Sequence, residues 1–437
     1  MPFASSTTSV EAGVRSHSVL VFACAGHFAV HLLLGLHATA ALAIEREWSV
    51  DYGTIIALGI WGAFLLGAAA PAAGWLADKA GAAPIMVIFF VGSGAASMAA
   101  AMASAPASLA VTLAALGLFG AIYHPVGLAW LLDGVDESRR GWAVGLNGLF
   151  GSLGVAAAPA IAGVLGGAFG WRSAFLLPGI VTATIGILLM AALIRGIVAI
   201  DDRSIASSKS AVGSTSLRQP VKGEVKRALA ALGAAMMCGS LLYSAFVTAL
   251  PKWTEGRILA EWPAADLGVV GTVVAIVFLV GGFGQVLAGY LADRYDPRHI
   301  YVLVIATKPV LLVASVLFGG PAGLIAAAAL VLMIDIASPS ESLLLARWAP
   351  ANRRGFAFGV RYAAALAATP AGLWLAAAFH DTSWGHNCLF VGLAALAAVA
   401  AIAAAAIPRD IATALRLVRR DGAASNFSAI RFRQRRG

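Results

Sequence analysis

Twelve stretches of this chain, each about 20 residues or longer and nearly free of charge, follow one another between residues 18 and 407. A helix of that length matches a hydrocarbon core roughly 30 Å thick, and lipid offers no partner to a bare N–H or C=O. Each stretch is therefore expected to cross a membrane as a helix that satisfies its own backbone. The stretches are residues 18–44, 54–77, 84–104, 107–131, 142–167, 174–197, 228–252, 265–291, 299–318, 321–346, 356–379 and 387–407. Only 12% of the 437 residues are charged, against roughly 25% in a soluble domain, which is too little to cover a water-facing surface. The reading is an all-α membrane protein. The first stretch is about twice the apolar length of a secretory signal and other spans follow it, so it counts as span one. Cys24, Cys238 and Cys388 lie singly in apolar runs, where a small hydrophobic role fits better than a disulfide framework or a zinc site.

The formal charge of +9 does not point to nucleic acid, because the basic residues sit in short connections between spans and form no continuous polar face. Their distribution reads as topology instead. With the N-terminus inside, the inner connections hold Arg15, Lys79, Arg139, Arg140, Arg195, the cluster from Arg203 to Arg227, Arg294, Arg298, Arg347, Arg353, Arg354 and the tail from Arg409. The outer ones hold only Arg46, Arg172, Lys252 and Arg257. The excess marks the cytoplasmic side, so both termini are expected there, in a bacterial inner membrane.

The chain also repeats itself at a separation of about 214 residues. Gly74-Trp75-Leu76-Ala77-Asp78 returns as Gly289-Tyr290-Leu291-Ala292-Asp293, and Arg139-Arg140-Gly141-Trp142 returns as Arg353-Arg354-Gly355-Phe356. Pro125 in span four is matched by Pro339 in span ten. Six spans per copy is an even number, so the two copies enter the membrane with the same orientation and form parallel repeats. The expected organisation is a six-helix half over residues 1–197, a Ser- and Lys/Arg-rich linker over 198–227, a second half over 228–407 and a basic tail over 408–437.

These features together resemble the major facilitator superfamily, over nearly the whole chain. The loop signature of that family after span two is approximated by Gly74, Asp78, Lys79 and Gly81, with Ala82-Ala83-Pro84 where a basic pair is usual, and its second copy by Gly289, Asp293 and Arg294. The resemblance implies a secondary transporter that moves a small solute by alternating access. It also implies that Gly74, Asp78, Lys79, Gly289, Asp293 and Arg294 form a cytoplasmic gate, with Asp78 facing the positive N-terminus of span eleven. Gly148, Gly151, Gly154, Pro159 and Gly163 in span five loosely resemble an antiporter signature, although small residues at such intervals also serve helix packing. His124-Pro125 resembles the fosmidomycin-resistance branch of exporters, which follows it with Glu where this chain has Val126. These two likenesses point to export.

An ionisable side chain in mid-bilayer costs at least about 2.5–3.5 kcal/mol, so it usually faces a cavity or a partner. His27 and His31 share one face of span one, and His37 lies nearer its outer end. In the resembled family spans one, four, seven and ten line the central path, which would bring His27, His31, His124, Asp335 and Ser338 together. Asp335 is the expected proton carrier, unless it pairs with Lys308 of span nine; Glu341 is expected to meet Arg347 or Arg140. Arg361 holds the repeat position of Asn147 and is assigned to the gate, with Asp78 or an anionic substrate as partner. Trp61, Tyr123, Tyr243, Gln285 and Trp374 are further path candidates.

No Gly-x-x-x-x-Gly-Lys-Ser/Thr, His-Glu-x-x-His or Gly-x-Ser-x-Gly sequence is present, so neither a nucleotide motor nor an enzyme is expected, and no cofactor. The leading expectation is proton-coupled efflux of a small organic compound by a protein working as a monomer in the lipid bilayer. A transporter of a metal cation such as ferrous iron, or a receptor on the same fold, is the alternative.

Overall fold

A computed structural model describes the backbone of residues 4–136, 139–198, 222–292, 294–350, 354–380 and 385–409. Among these residues the chain is helical throughout, without a strand. The first half runs α1 (Ala4–Trp48), a broken span of α2 (Tyr52–Ala57), α3 (Ile60–Ala68) and α4 (Ala70–Ala80), then α5 (Ala82–Ala101). It continues with α6 (Pro106–Gly120), a π-turn at Tyr123–Gly127, α7 (Leu128–Gly134), α8 (Arg140–Phe169) and α9 (Trp171–Ile194). The second half comprises α10 (Lys222–Glu261), α11 (Leu267–Ala292), α12 (Pro297–Leu317), α13 (Gly320–Trp348), α14 (Arg354–Ala378) and α15 (Gly385–Ala405).

Among the described residues ten helices are long and apolar enough to cross a membrane, and the broken span, counted as one, makes eleven. The twelfth position is held by α14, 25 residues long, which packs on α10 of its own half and on α2 and α3 of the other. Where two spans follow each other without a loop, glycine makes the turn. Gly81 and Gly170, at φ 84° and 83°, join α4 to α5 and α8 to α9 in a conformation that L side chains rarely adopt.

Two spans depart from simple rods, both at prolines. Pro71 lies in the first turn of α4, where it lacks an N–H and its ring crowds the carbonyl one turn back; the span bends by 45° there. Pro125 has the same effect inside span four and is absorbed as a π-turn, a local widening of the helix often found at functional sites. α10 begins at Lys222, inside the stretch 198–227 expected as the linker. Lys222, Glu224, Lys226 and Arg227 are good helix formers, and Glu224 stands in the first turn, where a carboxylate is favoured; Gly223 and Val225 are poorer ones. Residues 199–221, the tail from 410 and Asp293 lie outside the described residues.

The halves meet along two seams. In one, α8 crosses α11 so closely that a Cβ at Gly271 would lie 2.2 Å from the Pro159 carbonyl oxygen and one at Gly163 2.7 Å from that of Leu267. In the other, the broken span runs along α14. A Cβ at Gly53 would strike His380, one at Gly59 would meet Leu373, and one at Gly67 would meet Leu366, but at Gly74 the nearest neighbour is Pro125 of the same half. Among the described residues the contacts of this span with α14 reach Gly67 and are not found at Gly74, beyond the 45° bend that sets off α4. Among the described residues the bundle is thus closed at the end holding the α1–α2 connection and splayed at the end holding α4, where Asp78 and Lys79 are exposed.

Candidate functional site

Between the halves lies a cavity of about 470 Å³ whose walls come from both. His31 and His124 enter from α1 and the π-turn, Tyr243 from α10, Lys308 from α12, and Asp335, Ser338 and Glu341 from α13. Val155, Phe278, Ile334, Leu366 and Leu373 supply the apolar wall. A smaller adjoining space of about 200 Å³ shares His31, Tyr243 and Asp335 and adds His27, Ser152 and Gln285. A groove of about 640 Å³ on the flank of the first half, between α1, α8 and α9, is walled by residues such as Phe28, Val164 and Val181 and contains no ionisable side chain. Titratable chemistry is concentrated in the central cavity.

The three histidines gather as a cluster. Ring centroids lie 5.0 Å apart for His27 and His31, 5.8 Å for His27 and His124, and 5.5 Å for His31 and His124. The helices that make this possible are cut away: a Cβ at Gly151 would lie 2.6 Å from the His27 ring, and one at Gly154 2.4 Å from the Phe28 carbonyl oxygen. Within the glycine series of span five, Gly151 and Gly154 seat α1 and Gly163 seats α11, whereas Gly148 has open space where a Cβ would stand. His27 Nδ1 lies 2.7 Å from the Asn147 carbonyl oxygen, which only accepts, so this nitrogen carries the proton. The Asn147 amide donates to the Tyr123 hydroxyl at 2.9 Å, and that hydroxyl donates to the Ala23 carbonyl at 2.8 Å. Tyr123 stacks on His27 with centroids 5.0 Å apart. His37, by contrast, is a packing group, its Nε2 3.0 Å from the Ile55 carbonyl oxygen.

Asp335 sits in a recess: a Cβ at Gly281 of α11 would lie 2.5 Å from its carboxylate oxygen. Lys308, only 5% exposed, feels the charges of Asp335 and Glu341. It makes no ion pair within 4.0 Å among the described residues, so the close Asp335–Lys308 pair is not formed. Glu341 is committed elsewhere, accepting from Arg361 Nε at 2.9 Å and from the Tyr301 hydroxyl at 3.2 Å. The expected partners of Glu341 and Arg361 are thereby replaced: Arg347 lies 3.2 Å from Asp296, Arg140 donates to the Leu132 carbonyl, and Asp78 stands at the splayed end. Trp61 and Trp374 are more than half exposed and line neither space, whereas Tyr243 and Gln285 do line the path.

Among the described residues no ion pair joins Asp78 or Lys79, assigned to the gate, to the other half. Asp78 and Lys79 are exposed, and α4 packs on α3, α5 and the π-turn of its own half. The Lys79 ammonium lies over the Trp75 ring at 3.9 Å, and the Arg294 guanidinium lies over Tyr290 at 3.6 Å, so the internal repeat extends to matching cation–π contacts. Gly289 has open space where a Cβ would stand.

Sequence reasoning missed the closed end. There Lys252 Nζ lies 2.5 Å from Glu45 and 3.0 Å from Glu255, Glu255 also pairs with Arg46, and His380 Nε2 lies 3.1 Å from Asp51. The Tyr52 hydroxyl adds a bond to the Thr248 carbonyl at 3.3 Å. Most of these contacts join one half to the other. The signal was present as acids at the ends of spans one and seven, but only the bases had been used, to set topology.

This arrangement can admit a solute from one end, hold it against ionisable groups and bar it from the other end. Among the described residues no three His, Cys, Asp or Glu side chains are placed to hold a metal ion. Solved structures share the architecture. A peptide transporter, POT, in complex with sulfate superposes with a TM-score of 0.70 at 16% identity, over 92% of this chain and 95% of that one. A bacterial homologue of the human lysosomal transporter Spinster, inward-facing and occupied, does so with a TM-score of 0.69 at 12% identity, over 90% and 96%. At such identities the likeness is one of fold. No curated protein matches the chain. The pattern of the Major Facilitator Superfamily matches residues 23–265 and 258–436, and with the fold and the repeat it establishes that the chain belongs to that superfamily of membrane transporters.

Proposed function

We infer that the protein is a proton-coupled secondary transporter of a small organic compound, with Asp335 as the proton-carrying group and His27, His31 and His124 lining the path opposite it. The observation that carries this reading is the position of Asp335, recessed against Gly281 and open to a space walled by both halves. A carboxylate there is exposed to whichever side the cavity opens to, which alternating access requires of a coupling group. The splayed end is assigned to the cytoplasm from the Lys and Arg excess. Asp78, Lys79, Asp293 and Arg294 then form the inner gate in the opposite conformation, and Glu45, Lys252 and Glu255 form the outer one. Export is favoured by the likeness of His124-Pro125 to an exporter branch; the antiporter likeness of span five loses weight, since Gly151, Gly154 and Gly163 seat neighbouring helices.

The test is pH-gradient-driven flux in proteoliposomes, wild type against Asp335→Asn, with a panel of small organic solutes and ferrous iron. Gradient-dependent movement of an organic solute that the variant loses is the expected result. Unchanged flux in the variant would remove Asp335 from the coupling step, and movement of iron alone would replace the reading.

A further inference from the structure

We propose that the central cavity takes a small organic anion, a carboxylate with an apolar body, whose charged end binds Lys308 and whose binding is accompanied by one proton taken up on Asp335. The proposal rests on the proton-coupled reading above, with Asp335 as the carrier, and specifies its substrate class; because the anion moves with the proton, it replaces the export direction favoured there by uptake along an inward proton gradient.

Lys308 is the group that needs explaining. Its side chain is 95% buried in the body of α12, at 5% exposure, and lines the cavity. Among the described residues no carboxylate comes within 4.0 Å of it. A largely buried lysine whose ammonium opens on a cavity with no carboxylate in contact is costly to keep charged, and a ligand that brings the missing charge lowers that cost. The cavity's other charges leave that role open. Glu341 is held by Arg361 and Tyr301, and these two opposite charges cancel. Lys308 and Asp335 remain, coupled through space without contact.

Charge balance then sets the coupling. The unoccupied cavity is neutral, with Lys308 opposed by Asp335 and Arg361 by Glu341. An anion on Lys308 leaves Asp335 as uncompensated negative charge in a poorly screened space, and a proton on Asp335 restores neutrality. The groups facing Asp335 do not remove this requirement: Tyr243 from α10 and Gln285 from α11 are neutral, and His27 and His31 from α1 add positive charge only by binding protons themselves. A cation would instead meet repulsion from Lys308 and compete with the proton for Asp335. The substrate's charge therefore decides the direction of coupling, an anion moving with the proton and a cation against it. The apolar body has its place against Val155, Phe278, Leu366 and Leu373, and about 470 Å³ suits a small organic molecule.

Three probes of one shape and different charge test this: benzoate, benzamide and benzylamine, added to the purified full chain and followed by calorimetry and a pH indicator in weak buffer. Benzoate is expected to bind at least about tenfold more tightly than either relative, a difference of about 1.4 kcal/mol, with one proton taken up per molecule bound. Lys308→Met, which removes a buried charge and so keeps the fold, should lose the preference, and Lys308→Arg should retain it. Asp335→Asn should bind benzoate without proton uptake. Equal binding of benzamide, preference for benzylamine, proton release, benzoate binding kept by a folded Lys308→Met, or no binding of any probe would overturn the proposal. The transport reading fails separately. Asp335-dependent flux of benzylamine would leave that reading standing and sink the anion, whereas benzoate binding at Lys308 with flux indifferent to Asp335→Asn would do the reverse.

Discussion

Gly151 and His27 illustrate how one atom can determine a functional position. A methyl at Gly151 would occupy the space of the His27 ring, so Gly151→Ala should push that ring from the Asn147 carbonyl and destabilise the protein by about 1–3 kcal/mol, as overpacking does. Adding His27→Ala should restore much of the loss, because the clash disappears; thermal unfolding of the two single variants and the double reads the coupling. Asp51 carries a pH-dependent contribution. Its carboxylate accepts from the Thr54 hydroxyl at 2.5 Å and the Thr54 amide at 2.8 Å and faces His380. The Thr54 hydroxyl bond is the main cause holding its pKa below the ordinary 3.8. A lowered folded pKa contributes stability that is complete above 3.8 and fades as pH falls through the lower, folded value. Asp51→Asn retains a capping side chain and removes the charge, so its stability deficit should disappear in acid. Asp51→Ala should cost about 1 kcal/mol more, the usual value of a lost N-cap.

The α8–α11 crossing sets the backbone of one half directly against that of the other. Pro159, Gly163 and Gly271 bring the two backbones into contact, with a Cβ at Gly271 reaching within 2.2 Å of a carbonyl oxygen. Backbone cannot swing aside as a side chain can, so Gly271→Ala must separate the helices. Its expected cost is at or above the upper end of the overpacking range, about 3 kcal/mol. Gly163→Ala should cost much less once Gly271→Ala is present, since the gap has already opened; unfolding measurements on the pair would show strict additivity if the two sites were independent. The broken span supplies the complementary property. Its first part, through Gly67, stays with α14 of the other half, and after the bend α4 follows its own half, so one span takes part in closing one end and opening the other.

The molecule as a whole has the arrangement expected of one state of the proposed alternating-access cycle. The cross-half contacts of Glu45, Arg46, Lys252, Glu255, Asp51 and His380 close one end, while Asp78 and Lys79 stand exposed at the other. Cysteines at positions 45 and 252 joined by a short bis-maleimide should therefore lock this state. Flux should stop, and a cysteine at position 79 should remain open to a water-soluble reagent. Continued flux through the cross-linked protein would show that the closed end need not open. Glu255→Gln should have the opposite bias, weakening both the Arg46 and the Lys252 contacts and raising labelling of cysteines placed at the closed end.

Much of this was legible in the residues. The apolar runs, the 12% charge content and the repeat of Gly74–Asp78 at Gly289–Asp293 determine a helical membrane protein of two similar halves, because lipid leaves the backbone no other way to satisfy itself. Helical spacing put His27 and His31 on one face, and the resemblance to a family whose spans one, four, seven and ten line the path implied that His124 and Asp335 would join them. Side-chain partners were not legible. Whether Asp335 meets Lys308, whether Arg361 turns to Glu341 or to Asp78, and which carboxylates close the end near Trp48 depend on distances of a few ångström between residues far apart in the chain. Those distances follow from how glycines and prolines let the helices approach and bend. The state of the gate belongs to the same class: residues that could close either end are written in the sequence, and only the arrangement of the halves says which of them meet.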